Sequence, residues 1–170
     1  GYSDTNVRTD GVGEGDIVKT DGKYIYQYLS SGEIRIIKIN NGKMKKTATI
    51  SLEEIGDAYL DEFILQDNRL YVVADIYEEN SSVFALTYDV SNPSKPSLIG
   101  QVKIDGSYRT SRFKDGYLYI MTTYGENFYY YCGLKKNVET EDLIPKVNDK
   151  EILPGNILIP EEQKDEPFFV

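Results

Sequence analysis

The chain has 170 residues, of which 40% are hydrophobic, and this is enough to build one folded domain with a buried core. Its formal net charge of -9 disfavours general binding to nucleic acids or to anionic lipid, because phosphate groups carry the same sign. Histidine is absent and Cys132 is the only cysteine, so the chain alone can supply no Ser-His-Asp triad, Cys-His pair, His-ligated zinc or internal disulfide.

The first predicted sheet follows a polar, glycine-rich stretch at residues 1–15, which we expect to be an irregular lead-in. Strands are predicted from Asp16 onward, and short turn sequences separate them. Asn41-Gly42 between two strand-like runs is a strong hairpin signal, because both residue types accept the positive φ angles of a tight turn. Residues 16–51 are therefore predicted to form four antiparallel strands.

A short cassette in this first sheet recurs twice further along the chain. Its copies are Asp21-Gly22-Lys23-Tyr24-Ile25-Tyr26, Asp67-Asn68-Arg69-Leu70-Tyr71-Val72 and Asp115-Gly116-Tyr117-Leu118-Tyr119-Ile120. The copies begin at residues 21, 67 and 115, so the spacings are 46 and 48 residues. Repeats of this length built from short strands indicate propeller blades, each of them a four-stranded sheet.

The second and third blades are predicted at 62–104 and 107–134, so that 16–134 holds three blades. Their strands are apolar on both faces, which is typical of sheets that are covered on both sides. The cassette tyrosines are therefore predicted to pack inside the fold; they are Tyr24, Tyr26, Tyr71, Tyr117 and Tyr119. A blade at the end of the series lacks a neighbour, and we expect exposed apolar surface and unpaired strand edges there.

The last part of the chain, 135–170, breaks the repeat pattern. It carries many charges and four prolines, namely Pro145, Pro154, Pro160 and Pro167. Proline cannot donate to a strand ladder, so this part is predicted to be an extended arm in which one short strand is possible. The predicted fold class is all-β: about three four-stranded antiparallel blades of a partial propeller, followed by an irregular C-terminal arm.

Several segments resemble the bacterial and archaeal secreted beta-propeller domain family. They are Thr5-Asn6-Val7, Gly11-Val12-Gly13-Glu14-Gly15-Asp16-Ile17-Val18-Lys19-Thr20-Asp21-Gly22, Tyr88-Asp89-Val90-Ser91-Asn92-Pro93, and Asp105-Gly106-Ser107-Tyr108 followed by Ser111-Arg112. The match runs in order across about 1–125. It implies the N-terminal part of an extracellular or cell-surface propeller, and it brings no catalytic residues. Gly13 stands where the family usually has an aspartate, so any cation bound by this acidic run would lose a ligand.

Charged residues near the first strand are one candidate binding site. Glu14, Asp16 and Lys19 would lie on or before an inner strand, and inner strands of a propeller line a central channel where ions or small ligands bind. Carboxylates would suit calcium, but the Asp-x-Asp-x-Asp-Gly spacing of a calcium loop is absent. The alternative, which we favour, is that Asp16 and Lys19 serve turns and sheet edges.

Arg112 and two tyrosines complete the set of candidate site residues. Arg112 could clamp a carboxylate of a ligand, or it could join two blades by pairing with a buried acid such as Glu62 or Asp16. We favour the second interpretation. Tyr129 and Tyr130 are predicted to form part of a contact surface, because tyrosine is enriched where proteins meet partners.

The predicted function is a non-enzymatic binding or scaffolding module at the cell envelope, with no cofactor or metal, a protein or peptide partner, and self-association through exposed blade edges. One alternative is part of a histidine-independent glycan- or peptide-processing enzyme, completed by blades outside this chain. The carboxylates available to such an enzyme are Asp57, Asp61 and Glu62, or Glu78 and Glu79, although the separation of any pair cannot be predicted from the sequence. Another alternative is a cation-stabilised structural domain. No apolar stretch is long enough to predict a transmembrane helix.

Overall fold

A computed structural model describes residues 12–13, 16–77, 81–124 and 144–158. In this part of the chain the elements are thirteen β-strands and two short 3-10 turns, at Glu53–Ile55 and Pro154–Asn156. The strands are β1 (Val12–Gly13), β2 (Val18–Thr20), β3 (Tyr24–Leu29), β4 (Glu33–Asn40), β5 (Lys43–Ser51), β6 (Ala58–Gln66), β7 (Arg69–Ile76), β8 (Ser82–Asp89), β9 (Ser97–Asp105), β10 (Ser107–Lys114), β11 (Tyr117–Thr123), β12 (Lys146–Val147) and β13 (Lys150–Glu151). The all-β fold class is confirmed.

The first sheet has the strand order β2-β3-β4-β5, and each strand is antiparallel to the next. Its turns explain the cassette residues. Asp21 accepts hydrogen bonds from the backbone N–H groups of Lys23 and Tyr24 through one carboxylate oxygen, at 2.8 and 2.6 Å. Such bonds hold the chain in a tight turn at the start of β3. Asn41 and Gly42 have φ angles of 49° and 75°, as a two-residue hairpin turn requires.

The second sheet has the order β13-β12-β9-β8-β7-β6, so two strands of the C-terminal arm extend it. The sequence indicated one possible short strand in the arm, and the structure shows two. The physical reason is that the backbone groups on the outer edge of β9 need hydrogen-bond partners. The hairpin β12–β13 supplies them. Asn148 donates its backbone N–H to the carbonyl of Lys103 at 2.8 Å and accepts the Lys103 N–H through its side chain at 2.9 Å.

The third sheet contains β1, β10 and β11, with β10 in the middle. Val12 and Gly13 pair with Lys114 and Phe113, so the prediction of an irregular lead-in across 1–15 is wrong at these two residues. β11 pairs with one side of β10, and the backbone N–H and C=O groups on its other side need partners as well. β1 supplies such partners at Lys114 and Phe113. The end of the third predicted blade, residues 125–134, lies outside the described residues. The limits of the blades as domains stay a prediction.

The main core lies between the first and second sheets. Both sheets and the residues directly after them contribute buried apolar side chains: Tyr26, Ile34, Ile36, Ile50 and Leu52 from the first sheet and its end, and Phe63, Leu70, Val72, Ala74, Leu86, Tyr88 and Val90 from the second sheet and the end of β8. Alternation along the strands puts every second side chain on this shared face. The core therefore joins two sheets into one unit.

The cassette tyrosines do not all pack as predicted. Tyr26 is buried and Tyr24 and Tyr71 are half-buried, but Tyr117 and Tyr119 are 68% and 57% exposed. The packing prediction is wrong for these last two. They lie on a face of the third sheet that no other described sheet covers.

Candidate functional site

Acidic side chains from the middle of β6 and the end of β7 converge with polar side chains of β10. Asp61 and Glu62 lie on β6, Asp75 lies on β7, and Tyr108 and Ser111 lie on β10. The pairing of β6 with β7 shifts between Leu60 and Glu62, so Asp61 is the extra residue of a β-bulge. We call the group Asp61, Glu62, Asp75, Tyr108 and Ser111 the polar junction, because it joins the second sheet to the third.

Hydrogen bonds between the sheets use two of the three carboxylates in the polar junction. The hydroxyl groups of Tyr108 and Ser111 both donate to the same Oε1 of Glu62, the former at 2.7 Å. The backbone N–H of Tyr108 donates to both oxygens of Asp75, at 3.2 and 3.3 Å. Asp75 and Ser111 are 2% and 1% exposed, so these bonds are shielded from water. Charge-assisted bonds in such surroundings are stronger than neutral ones on a surface.

The third carboxylate, that of Asp61, is poorly stabilised as an anion. Burial, followed by the negative charges of Asp75 and Glu62, raises its pKa from 3.8 to about 7. Its Oδ2 atom is buried and accepts no hydrogen bond in the described part of the chain. Burial also raises the pKa of Asp75, against the lowering effect of the Tyr108 N–H, the Tyr77 hydroxyl and the Arg109 charge. Near neutral pH, Asp61 therefore exchanges between its acid and its anion.

The rim of the polar junction carries a cation and two exposed rings. The Nε of Arg109 donates to the hydroxyl of the buried Thr123 at 2.7 Å. Tyr59 and Tyr77 form an edge-to-face pair with their ring centres 5.9 Å apart, and they are 64% and 63% exposed. Exposed aromatic pairs of this kind are available to a partner.

Gly106 sets the close approach of the second and third sheets. It links β9 to β10 with a φ angle of 107°, and a Cβ atom there would lie 2.6 Å from the carbonyl oxygen of Thr123. Its backbone N–H donates to the carbonyl of Ser81 at 2.9 Å. A side chain would push β11 away from this turn, which gives a physical reason for glycine in the Asp105-Gly106-Ser107-Tyr108 segment.

Two of the predicted site residues lie at a sheet edge. Asp16 exchanges two backbone hydrogen bonds with Phe63, at 3.2 and 2.9 Å, and its carboxylate accepts the N–H of Ile17 at 2.7 Å. Lys19 is half-buried on β2 and faces Tyr26 in the pairing with β3. Asp16 thus bonds at a turn and at a sheet edge, and Lys19 lies on the first strand of its sheet. Glu14, Tyr129 and Tyr130 lie outside the described residues.

The predicted bridge through Arg112 is wrong. Arg112 is exposed, and its Nη1 donates to the Thr110 hydroxyl at 3.2 Å and to the Ser111 carbonyl at 2.6 Å, both on its own strand. The residue before it makes the bridge instead, since Ser111 donates to Glu62. Adjacent side chains on a strand point to opposite faces, so Arg112 faces away when Ser111 faces β6.

Sequence reasoning also missed Tyr108 as a bridging residue. Tyr108 and Ser111 are separated by an odd number of positions, and a regular strand would put them on opposite faces. The pairing of β10 with β11 shifts between Tyr108 and Thr110, and this irregularity lets both residues reach Glu62. No local signal in the sequence announces that shift.

A cleft between the first and second sheets is the other concave feature of interest. It has a volume of about 90 Å³ and is lined by Ser51, Leu52, Glu54, Ile55, Leu86, Tyr88, Leu98 and Gln101. Pockets for organic ligands are usually at least about 300 Å³, so this cleft suits a few water molecules. In 16–77, 81–124 and 144–158, no group of three or more Asp, Glu or Cys side chains is placed to hold a metal ion. Among the described helices, none has the length and apolar character needed to cross a membrane.

The chain forms consecutive antiparallel sheets, and each sheet has a turn cassette between two of its strands. Neighbouring sheets are packed through apolar side chains or tied through polar ones, and this arrangement defines a protein built from β-sheet blades. The chain belongs to the beta-propeller domain family, whose model matches residues 2–170. This confirms the resemblance recognised in the sequence. An uncharacterized protein of Methanocaldococcus jannaschii is 36% identical over 120 residues, which cover 71% of this chain and 17% of that protein. No solved structure matches the chain.

Proposed function

We propose that this chain is a non-enzymatic binding or scaffolding module of an exported or cell-surface beta-propeller protein. The observation that carries the proposal is the use of the carboxylates in the polar junction. Glu62 accepts two hydroxyl donors and Asp75 accepts a backbone N–H, all from β10. Groups engaged in this way hold two sheets together, and they are not free to meet a substrate.

Recognition by a partner would use the exposed aromatic side chains and strand edges. The Tyr59–Tyr77 pair lies at the rim of the polar junction, and Tyr117 and Tyr119 lie on the open face of the third sheet with ring centres 6.4 Å apart. Tyrosine offers a large contact area at a small loss of side-chain freedom. A protein or peptide partner is the class that such surfaces suit. The location at the cell envelope rests on the family resemblance.

A capture experiment with matched variants tests the proposal. The full-length parent protein and this chain would be used as baits in a cell-envelope extract, beside a Tyr59→Ser/Tyr77→Ser variant and a Tyr117→Ser/Tyr119→Ser variant of each. A partner that both baits retain, and that one pair of substitutions releases without changing the melting temperature, supports a binding module. Equal capture by all variants would contradict a binding surface at either tyrosine pair, and capture by the parent alone contradicts the placement of the binding surface in this chain.

A hydrolase that needs no histidine is the second candidate function. The observation that favours it is the raised pKa of Asp61, about 7, beside the carboxylate of Glu62. An acid with a raised pKa and a second carboxyl group in one place are the elements of acid-base hydrolysis. Turnover of glycan or peptide substrates by the parent protein, abolished by Asp61→Asn and kept by the exposed control Asp57→Asn, would replace our proposal with this one. No observation on the described residues favours the cation-stabilised alternative, and we do not propose it.

A further inference from the structure

The outer edge of the first sheet is formed by β5, and no strand in the described part of the chain pairs with its outer side. The hairpin that joins β4 to β5 determines which residues of β5 point their backbone N–H and C=O groups toward β4 and which point them outward. Asn40 and Lys43 flank a two-residue turn and therefore form a hydrogen-bonded pair. Met44 is then in a non-hydrogen-bonded position, and so is Lys46, opposite Ile37. The N–H and C=O groups of Met44 and Lys46 consequently point outward.

This edge carries a concentration of positive charge in a chain whose net charge is -9. Lys43, Lys45 and Lys46 are exposed on β5, and the exposed Lys38 lies opposite Lys45 on β4. Among the described residues, the only ion pair joins Lys103 to Asp149, so these four lysines have no acidic partner there. Unpaired basic side chains on both faces of an open strand attract an acidic chain and repel a basic one.

The second sheet offers an internal precedent for covering such an edge. β9 is the fourth strand of its meander, as β5 is of the first, and the hairpin β12–β13 lies against it. Val147 pairs with Ile104, and Asp149 forms an ion pair with Lys103 at 3.1 Å. A short extended segment with a carboxylate thus satisfies the backbone and a lysine of this outer edge at the same time.

We propose that the β5 edge binds an acidic extended peptide segment of a partner protein, which adds a strand to the first sheet. The proposal rests on the proposed binding function and names the chemistry of the partner. The peptide backbone bonds to Met44 and Lys46, and its carboxylates pair with the surrounding lysines. The same lysines disfavour pairing with the β5 edge of a second copy, because like charges would face each other. A phosphate polymer would use the lysines but not the outward N–H groups.

Titration with synthetic peptides tests this inference by fluorescence anisotropy. The probe is a labelled eight-residue peptide in which glutamate alternates with threonine or valine, and the comparison probe replaces each glutamate by lysine. We expect the acidic peptide to bind and the basic one not to bind. Affinity should fall at least tenfold for Lys43→Gln/Lys45→Gln/Lys46→Gln and stay unchanged for the control Lys95→Gln/Lys150→Gln, whose lysines are exposed elsewhere.

Backbone pairing needs its own test, since charge alone could attract the peptide. Met44→Pro removes an outward N–H, and a peptide with alternate N-methylated residues removes the matching donors without touching the protein fold. Both changes should lower the affinity at least tenfold. Equal affinity for the N-methylated peptide, or inorganic polyphosphate binding in its place, would overturn the inference in favour of a phosphate-binding patch. A concentration-dependent dimer without peptide binding would overturn it in favour of a second copy.

The failure of this inference can be told apart from the failure of the proposed function. If the triple glutamine variant still captures the envelope partner of the wild-type chain, the β5 edge is not its binding site. The binding function would then stand and the inference would fall. If no variant or wild-type bait captures a partner, the proposed function itself falls, whatever the peptides do.

Discussion

The two junctions between neighbouring sheets are built from different chemistry. Between the first and second sheets lie apolar side chains such as Ile36, Phe63 and Val72, all fully buried. Between the second and third sheets, Glu62 and Asp75 accept hydrogen bonds from β10, and one ring contact joins Tyr71 to Phe113 at 4.9 Å. Neighbouring repeat units can therefore be joined either by burying apolar side chains between them or by hydrogen bonds to carboxylates.

The difference has a physical consequence for how each junction responds to its surroundings. Apolar burial is non-directional and independent of protonation, so the first junction should be equally firm across the neutral pH range. The polar junction depends on which carboxylates are ionised and on whether each donor meets its acceptor. It is therefore the region where small chemical changes should loosen one sheet without unfolding the others.

The largest expected effect belongs to the apolar junction. Phe63→Ala removes a ring that is 0% exposed, and loss of its contacts together with the cavity left behind should cost about 3 to 5 kcal/mol. Urea unfolding followed by circular dichroism would measure the change. Met44→Ala, at a residue that is 69% exposed, is the matched control and should change the stability by less than about 0.5 kcal/mol. Similar losses for both variants would refute the packing described here.

Removal of the shared acceptor in the polar junction should have the next largest effect. Glu62→Ala leaves the Tyr108 and Ser111 hydroxyls without their acceptor, which should cost about 2 to 3 kcal/mol. Tyr108→Phe and Ser111→Ala added to Glu62→Ala remove the stranded donors and should restore part of the stability. A triple variant weaker than the single one, measured by the same unfolding curves, would show that the hydroxyls have other acceptors.

The main effect of Asp61→Asn should be on how the free energy of unfolding depends on pH. The folded state raises the pKa of Asp61 from 3.8 to about 7, so the folded chain binds a proton here that the unfolded chain has released. The contribution of Asp61 is therefore most favourable below about pH 4 and is lost as the pH rises through about 7. Asparagine cannot ionise, and after allowance for partial solvent contact it should add about 1 to 2 kcal/mol at pH 8.

The measurement is the free energy of unfolding of wild type and Asp61→Asn from pH 5 to pH 8. The gap between the two curves should widen from pH 5 to about pH 7 and stay constant above it. Asp57→Asn, an exposed neighbour, should follow the wild type. A wild-type curve parallel to that of Asp61→Asn over the whole range would mean that Asp61 is ionised in the folded chain throughout.

The smallest effect is expected on the open face of the third sheet. Tyr117→Ser should change the stability by less than about 0.5 kcal/mol, because the ring is 68% exposed. The corresponding cassette position in the first sheet is Lys23, which is also exposed. A loss above about 1 kcal/mol in differential scanning calorimetry would mean that this face is covered in solution.

Most of the fold that could be predicted from the sequence was predicted from its turn residues. Asp21 bonds two backbone N–H groups, Asn41-Gly42 forms the tight turn, and Asp115-Gly116 repeats it with φ angles of 52° and 83°. Turns of this kind can be predicted from a sequence because they depend on residues that are neighbours in the chain. The family was recognisable for the same reason, since its marker segments are local.

The errors arose where partners are distant in the chain. Residue type alone suggested that Tyr117 and Tyr119 are buried, whereas alternation within the cassette aligns them with the exposed Lys23 and the half-buried Ile25. The bridge to Glu62 was assigned to Arg112, and irregular pairing in β10 gives it to Tyr108 and Ser111 instead. Bulges change which face a side chain occupies, and they depend on contacts between strands that no single segment encodes.

Hydrogen exchange measured sheet by sheet, at pH 5, 6, 7 and 8, tests the contrast between the two junctions most directly. After correction for the intrinsic pH dependence of exchange, protection of β10 and β11 should fall as the pH rises, while protection of β3, β4 and β5 stays constant. Asp61→Asn should abolish the fall in the third sheet. Equal loss of protection in the first and third sheets, or no change in either, would contradict the account of one apolar and one charge-dependent junction.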